Sequence, residues 1–137
     1  MKQFGLSPVA LFWLAVVFMV IAGQLIRLSQ LNRVIFNYAL AFSIDAPLLL
    51  IYIISVLFLG VVIWLFYSRA VTTLLGIIGL GLIFGGGASN LIDRILFDGG
   101  VADYWHLMDI STINFADIAI TAGIMLVLYQ FLFHHES

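Results

Sequence analysis

The chain has 137 residues, of which 64% are hydrophobic and 9% charged, and its formal charge is −2. Soluble domains are about half apolar and about a quarter charged, so this composition lies outside that class. Five basic residues cannot form the phosphate-binding stripe that nucleic-acid recognition needs, and the lack of cysteine excludes disulfides, thiolate metal sites and cysteine nucleophiles.

Crossing the hydrocarbon core takes about 20 mostly apolar residues. Four runs reach or approach that length and predict helices at about 9–26, 47–67, 71–88 and 116–133, within a single membrane domain spanning 1–137. Lys2 ahead of the first run has the look of a cleavable signal. The run is longer than a signal core, however, and three more follow, so it reads as a retained helix. Pro8 and Pro47 both precede apolar runs, where a missing backbone donor is tolerated. The second run carries no charge. The third is rich in glycine, at Gly76, Gly79, Gly81, Gly85, Gly86 and Gly87, and small residues at helical spacing let membrane helices approach closely, which predicts a central position for it. The fourth ends in a polar tail, His134-His135-Glu136-Ser137.

An even number of spans puts both termini on one side, together with the short Ser68-Arg69 turn. The other side holds two longer connections, 27–46 and 89–115, and six of the seven acidic residues: Asp45, Asp93, Asp98, Asp103, Asp109 and Asp117. Long connections carry function more often than short ones, so this acidic side is the expected working face. Counting Lys2 and Arg69 against Arg27, Arg33 and Arg94 leaves orientation undecided, with a slight tilt towards internal termini if Arg27 and Arg94 are held in a site. Between the first two spans, the β-branched and aromatic stretch Arg33-Val34-Ile35-Phe36-Asn37-Tyr38 predicts short strands on the membrane surface.

Two segments echo each other. Ser89-Asn90-Leu91-Ile92-Asp93-Arg94 closes the third span and Ile113-Asn114-Phe115-Ala116-Asp117-Ile118 opens the fourth. In each, Asn and Asp are three apart, which on a helix puts both on one face. Ionisable groups near membrane depth normally face a bundle interior or a wet cavity, so the two pairs suggest a shared polar pocket. Asp103 lies between them among apolar neighbours. Two close carboxylates share one proton: the charged one can take a proton from water while the neutral one polarises a carbonyl. Plainer readings stand beside this one. Asp93 and Arg94 suit a structural ion pair at a helix end, and Asn90 and Asn114 suit helix caps or bonds across the bundle. Asp98 and Asp109 suit solvated loops, and His106 an interfacial residue. Spacing alone leaves open whether Asp103 and Asp117 form a catalytic pair.

Taken in order, Asn37-Tyr38-Ala39-Leu40-Ala41-Phe42-Ser43, Gly86-Gly87-Ala88-Ser89-Asn90-Leu91-Ile92-Asp93-Arg94, Val101-Ala102-Asp103-Tyr104 and Ile113-Asn114-Phe115-Ala116-Asp117 resemble bacterial lipoprotein signal peptidase, also called signal peptidase II. The resemblance implies an all-α membrane protein of four transmembrane helices, with a small extracytoplasmic β-type segment between the first and second. It implies an aspartyl endopeptidase that cuts the signal peptide from a diacylglyceryl-modified prolipoprotein just before the lipidated cysteine. On the same basis Asp103 and Asp117 are the catalytic aspartates, and Asn37, Asn90, Asp93, Arg94 and Asn114 are supporting residues, with Asn37 and Arg94 as substrate contacts. Gln24 and Arg27 join the supporting set through a pattern late in the first span. The expected partners are the lipid-modified prolipoprotein and membrane lipid, with no nucleic acid, no cofactor, no metal and a monomeric state. The expected location is the bacterial cytoplasmic (inner) membrane, with both termini cytoplasmic and the site near the extracytoplasmic surface.

The sequence departs from the pattern it resembles. The family usually has Asp-Gln-x-x-Lys where this chain reads Gly23-Gln24-Leu25-Ile26-Arg27, Gly where Ser89 stands, and often Val where Ala102 stands. The connection from Asp103 to Asp117 also looks short for the family. The missing carboxylate at Gly23 motivates an alternative, an inactive paralogue that binds lipidated peptides. A third reading is metal-dependent chemistry or cation passage through Asp93, Asp103, Asp117 and His106.

Overall fold

This molecule buries several polar side chains and leaves many large apolar ones exposed. Ser89, Asp93, Arg94, Asp103, Asn114 and Gln130 are buried, while Leu, Ile, Val and Phe cover the surface. That inversion is what hydrocarbon demands of a solute. The computed structural model describes residues 5–40 and 44–133. Lys2, the Ala41-Phe42-Ser43 part of the first resembling segment and the His134–Ser137 tail lie outside the described residues.

Among the described residues, four helices are long and apolar enough to cross a membrane: α1 (Pro8–Ser29), α2 (Leu48–Tyr67), α3 (Leu74–Leu96) and α4 (Phe115–Phe133). Ser7 caps α1 by accepting from Ala10 N at 3.1 Å, with Pro8 in the first turn where its missing donor costs nothing. Thr73 caps α3 in the same manner through Gly76 N at 3.0 Å. Buried Gln130 of α4 reaches the same corner, accepting from Thr72 N, Thr73 N and Thr73 Oγ1 and donating to Ala70 O. One amide thus satisfies a helix start that hydrocarbon would otherwise leave unpaired.

The apolar core occupies this end of the bundle, where Phe12, Val16, Val62, Phe66, Val71, Ile77, Leu80 and Ile83 pack together. The Phe12 and Phe66 rings stack at 4.2 Å between centroids. Helix α3 is the central element, in contact with α1, α2 and α4. Its glycines make that closeness geometric. A Cβ placed on Gly79 would stand 2.8 Å from Gly123 O of α4, and one on Gly85 would stand 3.0 Å from Val16 O of α1. Helix α2 buries little beyond Ile51, Val62 and Phe66 and leaves most of its surface to lipid.

Past Ala88, where the apolar run weakens, α3 continues to Leu96 and carries Ser89, Asn90, Asp93 and Arg94 on its last turns. Four short strands and a turn cover that end. A 3₁₀ turn (Leu31–Arg33) leads from α1 into β1 (Ile35–Asn37), and β2 (Val101–Asp103), β3 (Trp105–Leu107) and β4 (Ser111–Ile113) connect α3 to α4. Strand β1 pairs antiparallel with β2, Ile35 opposite Asp103 and Asn37 opposite Val101. Strand β3 pairs antiparallel with β4, Trp105 opposite Ile113. The β structure is therefore not confined to the connection between α1 and α2. Among the described residues, the connection from α3 to α4 contributes three of the four strands, and its hairpin gave no sequence signal because Met108 and Asp109 turn it at φ 45° and 58° without the usual glycine.

The Gly79–Gly123 approach is expected to tolerate no side chain. Gly123→Leu should lower the unfolding midpoint in detergent well below that of the parent, at the scale of about 1–3 kcal/mol typical of overpacking. An unchanged midpoint would show that the two helices can part freely.

Candidate active site

The polar end of the bundle contains two linked networks. The first joins α1 to α3. Gln24 Nε2 donates to Ser89 Oγ at 3.1 Å and to Asp93 Oδ1 at 3.2 Å. Arg27 donates through Nη2 to Gln24 Oε1 at 2.8 Å, and its Nε lies 3.4 Å from Asp93 Oδ1. The guanidinium also sits 5.0 Å from the centre of the Phe97 ring. The other carboxylate oxygen of Asp93 accepts from Ala102 N at 3.2 Å. Asp93 thereby ties the end of α3 to strand β2, one residue before Asp103.

The second network holds Asp103 and Asp117. Asp103 is buried, its Oδ1 accepting from Asn114 Nδ2 at 3.0 Å and its Oδ2 from Asn37 Nδ2 at 3.3 Å. Asn37 and Asp103 are diagonal neighbours on one face of the β1–β2 pair, which explains their reach. Asn37 is itself oriented by accepting from Ala39 N at 3.0 Å. Asp117 is partly exposed, its Oδ1 accepting from Asn90 Nδ2 at 3.2 Å and its Oδ2 from Asn114 N at 3.0 Å. Asn114 Nδ2 also donates to Asn90 Oδ1 at 3.0 Å. A single asparagine therefore touches both carboxylates and the amide that holds one of them.

Burial, and after it the neighbouring charge of Asp117, pushes the Asp103 carboxyl up from 3.8 to about 7; hydrogen bonds from Asn37 and Asn114 and the charge of Arg94 pull the other way without cancelling the shift.

The residues singled out in the sequence come together here: Gln24, Arg27, Asn37, Asn90, Asp93, Arg94, Asp103, Asn114 and Asp117 all lie at this end. Two expected arrangements differ. Asn114 is not a second helical face residue. It precedes α4 as its cap, with Asn114 Oδ1 accepting from Asp117 N and Asp117 Oδ2 accepting from Asn114 N, each at 3.0 Å. This is a reciprocal capping box, and it fixes the Asp117 carboxylate as a by-product of starting the helix. Nor do Asp93 and Arg94 pair with each other. Consecutive helical residues point about 100° apart, and Asp93 turns to Arg27 while Arg94 Nη2 donates to Ala39 O at 3.1 Å. Buried Arg94 keeps an Nε with no hydrogen-bond partner among the described residues, and its backbone carbonyl accepts from Tyr52 of α2 at 2.8 Å.

Three contributors went unread in the sequence. Tyr104 accepts from Phe115 N at 3.1 Å and so fixes the entry to α4; Ala39 orients Asn37 and receives Arg94; Tyr52 anchors the end of α3. A tyrosine directly after Asp103 was the one available signal. His106 is exposed on β3, and among the described residues no three His, Asp or Glu side chains gather as a metal ion would need.

The departures at Gly23 and Ser89 meet in space. A Cβ on Gly23 would stand 2.7 Å from Ser89 Oγ. The hydroxymethyl group of Ser89 thus occupies the room next to Gly23 and supplies the oxygen to which Gln24 donates. Both line a small polar cavity of about 10 Å³ with Arg27, Asn90, Asp93, Tyr104 and Asn114, room for about one water molecule.

Among solved structures, the chain resembles a bacterial membrane enzyme determined by the in meso method at 1.9 Å resolution, with a TM-score of 0.78, 23% identity, and coverage of 90% of this chain and 94% of that one. A second such structure, at 2.3 Å resolution, matches with the same TM-score and 92% coverage of each chain. The fold is thus shared with these two structures. Curated relatives are more specific. A lipoprotein signal peptidase of Helicobacter pylori (strain ATCC 700392 / 26695) is 39% identical over 109 residues, covering 75% of this chain and 68% of that protein. Another, from Shouchella clausii (strain KSM-K16), is 31% identical over 112 residues, covering 77% and 74%. Residues 12–133 match the family described as Signal peptidase (SPase) II. The chain belongs to the signal peptidase II family, and is a membrane-embedded peptidase of that type.

The contact between Gly23 and Ser89 is expected to show up as coupling. Gly23→Ala should lower the unfolding midpoint, and Ser89→Gly introduced with it should restore part of the loss, a non-additivity of about 1 kcal/mol in a double-mutant cycle. Additive effects would mean that the two positions do not share the space.

Proposed function

We propose that Asp103 and Asp117 are the catalytic pair of an endopeptidase that removes the signal peptide of a diacylglyceryl-modified prolipoprotein, cutting before the lipidated cysteine. The observation that carries this reading is the Asn114 bridge, which holds a buried and a partly exposed carboxylate in one network. With a pKa near 7, Asp103 is the member that retains a proton and donates it to the scissile carbonyl oxygen. Asp117, open to solvent on one side, takes a proton from the attacking water. Water adds to the carbonyl carbon; on collapse Asp117 passes its proton to the leaving nitrogen and Asp103 recovers its own from the hydroxyl, which releases the new amine and carboxyl termini.

The remaining polar groups position rather than react. Asn90 and the Asn114 backbone fix Asp117, Asn37 fixes Asp103, and the Asp93–Ala102 bond holds the strand that carries Asp103. Arg94, whose Nε has no partner among the described residues, suits a carbonyl oxygen of substrate peptide or lipid. An acylated substrate would be held at membrane depth by its chains, at about 0.8 kcal/mol per buried methylene, which leaves the reacting peptide beside the carboxylates.

The site belongs on the extracytoplasmic side of the cytoplasmic membrane, with both termini inside and the chain acting as a monomer. Support for the orientation comes from Arg27, paired with Asp93, and from buried Arg94: with these held in the site they no longer count as loop charges, which leaves Arg33 on the working side. The Gly23 departure that suggests a non-cutting relative is met by Ser89, which fills the same corner.

Asp103→Asn and Asp117→Asn should each abolish cleavage of a lipidated precursor in detergent micelles while the variants stay folded. Wild-type cleavage should decline as pH rises through about 7, where Asp103 loses its proton. Full activity in either variant would remove the dyad, and a rate that climbs steadily through that range would reverse the assignment of acid and base.

A further inference from the structure

Beside the carboxylate pair lies a second cavity with different chemistry. An open groove of about 560 Å³ is lined by Arg33, Tyr104, Trp105 and His106. That volume falls within the range of small-ligand sites. Its floor is aromatic. Tyr104 is buried, with its hydroxyl already accepting from Phe115 N, and the Trp105 ring packs edge-on to it at 5.0 Å. The rim is basic, formed by exposed Arg33 on the 3₁₀ turn and exposed His106 on β3.

Arg33 has no ion-pair partner among the described residues, where the salt bridge found is Arg27 with Asp93. The groove also contains no carboxylate of its own, since Asp103, next in sequence to Tyr104, is turned inward to Asn37 and Asn114. A guanidinium and an imidazole N–H over an aromatic floor match an oxyanion with tetrahedral geometry. The surroundings say where that anion is attached. Leu31 and Ile35, on either side of Arg33 in sequence, and Leu107, which follows His106, are about half exposed or more, and Met108 and Ile110 at the hairpin tip are 81% and 80% exposed. These apolar flanks continue the lipid-facing surface of the bundle, at the level where the spans end and aromatic and basic side chains meet headgroups.

We propose that this groove is a binding site for an anionic phospholipid, its phosphodiester held by Arg33 and His106 and its acyl chains lying along Leu31, Ile35 and Leu107. The site is separate from the carboxylate pair and does not rest on the peptidase reading. Its consequence is mechanical: a bound lipid joins the 3₁₀ turn that precedes β1 to the start of the hairpin that follows β2, and so clasps the two strands that hold Asn37 and Asp103. A zwitterionic lipid carries its own cation next to the phosphate and gains less from Arg33.

The test uses the full chain, equilibrated with mixed micelles of phosphatidylglycerol and phosphatidylcholine in equal amounts, with retained lipid read by native mass spectrometry. The wild type should retain phosphatidylglycerol preferentially. Arg33→Gln should lower that preference about tenfold, the loss of one charge-assisted contact, while Arg33→Lys keeps part of it. His106→Gln should lower it less, and all three variants should keep wild-type peptidase activity in lipid-free detergent. Equal retention of both lipids by the wild type, or an unchanged preference in Arg33→Gln and His106→Gln, would overturn the proposal. Displacement of the lipid by millimolar inorganic phosphate would overturn it too, because the groove would then be a site for free anions.

Discussion

The bond on which this structure depends is made by the side-chain amide of Asn114. Its nitrogen donates to Asp103 and to Asn90, its oxygen accepts from the backbone of Asp117, and its own backbone N–H binds the Asp117 carboxylate. No other described residue joins both carboxylates. In a medium that leaves unpaired polar groups without water, such a hub has to be complete, since each missing partner would cost about 1–3 kcal/mol. The same residue starts α4, so the helix cannot form in its proper register without delivering Asp117 to the pair.

The rest of the fold serves to bring that amide to the end of α3. The glycines of α3 let α4 approach until backbones nearly touch at Gly79 and Gly123, and this closeness, carried along the helices, puts Asn90 within reach of Asn114. On the other side of α3, Gln24 of α1 donates to Asp93 and Arg27 pairs with it, and Asp93 in turn holds β2. Two networks of opposite character result. One is an ion pair with a structural task, and the other is a set of neutral amides around two acids.

Much of this could be read from the sequence, for reasons that are local. Four apolar runs can only be spans, and the crowding of glycine in the third marks the helix that others must approach. The pairs Asn90–Asp93 and Asn114–Asp117 flagged the polar end, yet the same spacing has two meanings. Within α3 it is a helical face; at the start of α4 it is a cap, which depends on where the helix begins. The partner of Asp93 was misread for a similar reason, since neighbours in sequence diverge on a helix and the true cation, Arg27, lies on another one. The β3–β4 hairpin lacked a glycine at its turn, and the meeting of Gly23 with Ser89 is a contact between helices that no stretch of sequence displays. Family membership added what physics left open, namely that the chain is a peptidase of the signal peptidase II type.

The proposal at the centre is that the charge of Asp117 helps to keep Asp103 protonated. Infrared titration of the protonated carboxyl stretch, assigned by its loss in Asp103→Asn, addresses this most directly. The account predicts a midpoint of about 7 in the wild type that falls in Asp117→Asn, where the like charge is gone, yet stays above 3.8 because burial remains. A wild-type midpoint in the ordinary carboxylate range, or one unmoved by Asp117→Asn, would contradict it.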